Sequence, residues 1–72
     1  MTHTELIDCW PSLSDFAGDL GVAYGTAKAM RRRGSVPSEH WVAMVDAARS
    51  RALVEVSLDS LAAAVAKIKV AE

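Results

Sequence analysis

Residues 13–34 run Leu13-Ser14-Asp15-Phe16-Ala17-Gly18-Asp19-Leu20-Gly21-Val22-Ala23-Tyr24-Gly25-Thr26-Ala27-Lys28-Ala29-Met30-Arg31-Arg32-Arg33-Gly34, and the way this stretch folds decides the architecture. Ser12 just ahead of it and Asp15 have the spacing of a helix N-cap, after which Leu13, Phe16, Ala17 and Leu20 share one side of a helix. Gly21 stops that helix, because glycine accepts the left-handed conformation that follows many helix ends. A second helix begins near Ala23 or Tyr24, continues through Thr26, Ala27 and Met30 to about Arg33, and ends at Gly34. The connection is too short for the two helices to lie antiparallel, so the second is tipped outward with one side free. A helix-turn-helix needs a small residue at the crossing, a glycine in the turn and apolar locking positions. Ala17, Gly21 and the set Phe16, Leu20, Val22, Ala27 and Met30 supply these.

Working outward, Thr2 and Glu5 form a capping box that opens a short first helix carrying Leu6, Ile7 and Trp10, and Pro11 ends it. On the other side, Ser35 and Val36 lead into Pro37, which suits the first turn of a fourth helix with an apolar stripe of Trp41, Met44, Val45 and Ala48 reaching about Arg51. Val56, Ser57 and Leu61 fit a hydrophobic staple around an N-cap serine and so open a fifth helix. Its residues Leu58, Leu61, Val65 and Ile68 are spaced as the seam one helix offers another, which makes residues 52–72 the candidate dimerisation segment. Two alternating stretches, residues 54–58 and 67–70, leave strands open as an alternative. The reading is one all-α domain over residues 1–72, a compact bundle of about five helices.

At 72 residues with a single cysteine, the chain has a thin core and no internal disulfide, and dimerisation is one way such a small domain gains stability. The start of the chain lacks the pattern of a signal peptide and no apolar run spans a bilayer, so a soluble cytoplasmic protein is expected. Eight basic residues against nine acidic ones give a net charge of −1, which by itself disfavours nucleic acid. The distribution points the other way. Residues 1–23 carry Glu5, Asp8, Asp15 and Asp19 without a Lys or Arg, whereas residues 24–34 carry Lys28, Arg31, Arg32 and Arg33 without an acid.

The stretch from Phe16-Ala17-Gly18-Asp19-Leu20-Gly21-Val22 through Ala23-Tyr24-Gly25-Thr26-Ala27-Lys28-Ala29-Met30 resembles the helix-turn-helix of the Cro/CI-type phage repressor family. The following Arg31-Arg32-Arg33-Gly34-Ser35-Val36-Pro37 resembles the basic, glycine-terminated helix end and proline-led fourth helix of its small members. The resemblance covers residues 5–51. It implies a lambda-repressor-like fold, double-stranded DNA as partner, and a homodimeric repressor of phage-derived genes on an inverted-repeat operator, with no cofactor. On this resemblance Tyr24, Gly25, Thr26, Lys28 and Ala29 contact bases, while Ser14, Arg31, Arg32 and Arg33, with the amides opening the second helix, hold the DNA backbone. Leu13 and Tyr24 stand where relatives often place glutamine, so no operator sequence carries over. Met30 replaces a bulkier aromatic.

Plainer readings stand beside these. The three arginines also suit a solvated helix C-terminus, and Tyr24 could be a half-exposed ring packed on the first helix. Trp10, Phe16 and Trp41 read as core, Cys9 as a small structural residue, and His40 as a surface histidine. Asp15 and Asp19 read as solvated carboxylates. His3, His40 and Cys9 make no metal set, and no nucleophile or nucleotide-binding motif is present, so no enzyme is expected. A protein-interaction module on the same fold and a DNA-bending recombination factor are the alternative functions.

Overall fold

A computed structural model describes residues 2–70, with side chains described through residue 65. Five helices follow in order: α1 (His3–Ile7), α2 (Leu13–Leu20), α3 (Tyr24–Arg33), α4 (Trp41–Ser50) and α5 (Leu58–Val70), with a 3-10 turn at Ser38–His40 leading into α4. Residues 54–58 and 67–70 are not strands. The first stretch is a turn closed by the Val56 amide on the Leu53 carbonyl, 3.1 Å, and running into α5; the second lies inside α5.

The helix boundaries follow local chemistry. Thr2 and Glu5 satisfy each other's backbone amides in a full capping box, and Ser12 Oγ accepts from the Asp15 amide at 3.1 Å. At α5, Ser57 and Ser60 cap one another reciprocally, at 2.9 and 3.0 Å, with Val56 and Leu61 buried on either side of the cap. α1 ends at Ile7 rather than Trp10. Pro11 disfavours helical backbone at the residue before it, and the chain tightens there through i+3 bonds from the Cys9 and Trp10 amides. Pro37 likewise starts a 3-10 turn, and the α-helix proper begins at Trp41.

One core joins all five helices: Leu6 and Ile7 of α1, Phe16 and Leu20 of α2, Ala27 and Met30 of α3, Met44 and Ala48 of α4, and Leu61 of α5. Trp10 packs its edge on Phe16 with ring centroids 5.1 Å apart. The polar exception is His3, buried at 3% exposure. The Val36 amide donates to its Nδ1 at 2.9 Å. Nε2 therefore carries the hydrogen and donates to the Leu61 carbonyl, 3.0 Å away. Trp41 packs edge-on to this imidazole and donates to the Val36 carbonyl at 2.8 Å. The result ties α1, the loop before α4, and α5 together around one ring.

Leu61 is correspondingly not a dimer contact. It has no exposed surface, because α5 turns this residue inward against α1 and α4. Among the described residues no helix is long and apolar enough to cross a membrane.

Candidate nucleic-acid interface

α2 ends with Gly21 at φ +71, and the Val22 amide returns to the Ala17 carbonyl at 3.0 Å, which closes the Schellman geometry and redirects the chain within three residues. A side chain at Gly21 would meet no neighbour, so the requirement there is conformational rather than spatial. At the other end of α3, Gly34 has φ +68 and the Ser35 amide bonds the Met30 carbonyl at 3.1 Å. Thr4 of α1 donates its hydroxyl to the Arg31 carbonyl at 2.8 Å. A Cβ on Gly34 would lie 3.2 Å from the Thr4 Oγ1 atom. The C-terminal end of α3 is thus fixed by α1 and its N-terminal end follows the tight turn from α2, while Ala27 and Met30 anchor its inner side.

With about 100° between successive residues, Gly25, Lys28, Ala29 and Arg32 fall opposite Ala27 and Met30, and Tyr24 and Thr26 flank them. Tyr24 is 53% exposed; Gly25, Thr26, Lys28 and Arg32 are also exposed, and Ala29 is half-buried. Of the five residues assigned to base contact, Gly25, Lys28 and Ala29 therefore share the outer face of α3, and Tyr24 and Thr26 lie exposed at its two opposite edges. Tyr24, Lys28, Arg31 and Arg32 line an open groove against Leu13 at the start of α2.

The four cations of α3 are not equivalent. Arg31 makes a bidentate pair with Asp8, Nε to Oδ1 at 2.7 Å and the terminal nitrogen to Oδ2 at 3.2 Å, which holds its guanidinium still more firmly protonated. Arg33 folds its Nε back toward the Ala29 carbonyl at 3.4 Å. Lys28 and Arg32 have no partner among the described residues and are available to an anion. Ser14 is exposed on the first turn of α2, yet the Asp15 amide beside it is already taken and the Asp15 carboxylate sits at this helix end. The α2 N-terminus is therefore a poorer phosphate seat than expected from sequence.

Asp19 is not simply solvated. Its carboxylate accepts from Trp10 Nε1 at 2.8 Å and pairs with Arg51 at 2.6 and 3.2 Å. The Arg51 bond and then the Trp10 bond hold it below the usual carboxylate range. Burial and, after it, the charge of Glu55 push the Cys9 thiol up, which makes it a poor nucleophile. Among the described residues no cluster of His, Cys, Asp and Glu could hold a metal ion.

Of the expected dimer seam, Leu58 is 49% exposed, Val65 is half-buried, and the Ile68 side chain lies outside the described residues. Sequence reasoning missed Val54, which is 87% exposed in the turn before α5. Nothing in its local pattern separates it from a buried valine. No protein-family model matches this chain, and no curated protein or solved structure matches it either.

Proposed function

We propose that this chain is a sequence-specific DNA-binding transcriptional regulator of the Cro/CI type, acting in the cytoplasm as a homodimeric repressor on an inverted-repeat operator. α3 enters the major groove, with Tyr24, Gly25, Thr26, Lys28 and Ala29 toward the bases and Arg32 toward phosphate. Arg31 and Arg33 reach phosphate by exchanging their internal partners. The two-fold contact uses Leu58 and Val65 of α5, with Ile68 further along the same helix. The observation that carries this reading is the outer side of α3: it is exposed, free of acids, and bears two cations with no partner among the described residues.

The test is selection of duplexes from a random pool, followed by fluorescence anisotropy on the selected site. Lys28→Glu combined with Arg32→Glu is expected to weaken binding by about 100-fold or more, since each change removes one favourable contact and adds a repulsive one. Thermal stability should fall only slightly, because both side chains are exposed and the one structural cost is about 1 kcal/mol from a carboxylate at position 32 in the last turn of α3. Full binding by the double variant, or no retained duplex at low ionic strength, overturns the proposal.

A further inference from the structure

Reading an adenine edge through two hydrogen bonds calls for a side chain that offers a donor and an acceptor side by side, which the amides of Asn and Gln provide. The 72 residues contain neither Asn nor Gln. The outer part of α3 instead offers a guanine-seeking cation in Lys28, a second cation in Arg32, and otherwise small or apolar surface: the Thr26 and Ala29 methyl groups, the Tyr24 ring, and no side chain at Gly25. Tyr24, 53% exposed, and the half-buried Leu13 are the apolar side chains that line the open groove. A major-groove A·T pair presents one apolar feature, the thymine 5-methyl group. Apolar walls next to unpaired cations match a methyl that projects beside a negatively charged backbone.

We infer that, if α3 reads duplex DNA as proposed above, this protein recognises A·T pairs from the thymine side, by packing 5-methyl groups against Tyr24, Thr26 and Ala29. Two-bond recognition of an adenine edge by a side-chain amide plays no part in its sequence preference, because the chain has no such amide. Guanine positions are read by Lys28, whose ammonium group can only donate and so suits the two acceptors of the guanine edge.

The experiment modifies the selected duplex one atom group at a time. Each thymine in turn is replaced by deoxyuridine, which removes the methyl alone. Each adenine in turn is replaced by 7-deazaadenine, which removes the N7 acceptor. Burial of one methyl-sized group is worth about a factor of four in affinity, so at least one thymine per half-site should show a loss of roughly three- to five-fold. The 7-deazaadenine series should show no change. Tyr24→Phe, which keeps the ring, should retain the deoxyuridine penalties, and Thr26→Ser, which removes only a methyl, should abolish one of them. Indifference to deoxyuridine at every position, or a tenfold loss with 7-deazaadenine, overturns this inference while leaving DNA binding intact. A protein that retains no duplex removes the underlying reading, and this inference with it.

Discussion

Among the described residues three helix ends use a left-handed residue, and two of them are glycines. The third is Ala52 at φ +59, where the Leu53 amide closes on the Ala48 carbonyl at 2.8 Å after α4. A Cβ in this conformation costs about 1–2 kcal/mol, partly offset in Ala52→Gly by the greater freedom of an unfolded glycine. That substitution is expected to stabilise the protein by about 0.5–1 kcal/mol, read as a higher urea midpoint at constant slope. His3 works in the opposite sense. His3→Ala leaves the Val36 amide and the Leu61 carbonyl without their partner inside the fold, at a cost of about 2–4 kcal/mol. A domain of this size holds roughly 4–10 kcal/mol in all, so the loss should appear as a large drop in the thermal midpoint.

Among elements, α2 is fastened to its neighbours by a charge. Asp19 joins the turn after α1, through Trp10, to the end of α4, through Arg51. The folded protein holds Asp19 below the usual carboxylate range, whereas the unfolded chain titrates near pH 4, so the unfolded state takes up the proton first. The stabilisation is complete above that range and disappears as pH falls through the lower folded value. Urea unfolding across pH should therefore show Asp19→Asn less stable than wild type at neutral pH, with the gap narrowing as pH falls below the ordinary carboxylate range. α3 is secured differently, by Thr4 of α1 and by Asp8 just after it, both acting on the last turn of α3. This fastening leaves the outer side of α3 free.

For the molecule as a whole, the Cα radius of gyration is 11.4 Å, about what a compact 72-residue domain should have. The protein is therefore closed around its own core, and any second copy must dock on the outside. Leu58 is the exposed member of the proposed two-fold contact. Leu58→Glu is expected to leave helicity intact, to shift sedimentation equilibrium to the monomer mass, and to weaken operator binding by at least about tenfold, because each half-site then binds alone. A dimer that survives this change would move the contact elsewhere.

The sequence by itself determined the number of helices, the N-caps of α1, α2 and α5, and the tight turn that presents α3. Thr2 with Glu5, Ser12 with Asp15, Gly21, Gly34 and Ser57 act within a few residues of themselves, so their meaning is local and legible. The exposed placement of Tyr24, Thr26, Lys28 and Arg32 follows from the same helical period that buries Ala27 and Met30. Only the tertiary structure decided which polar groups are spent inside the fold. His3 meets a carbonyl 58 residues away, Asp19 an arginine 32 away and Arg31 an acid 23 away, and it is packing that turns Leu61 inward while Leu58 stays exposed. Periodicity assigns a residue to a face of its own helix. Which neighbour that face meets depends on how separate helices cross, and no spacing along one of them encodes that.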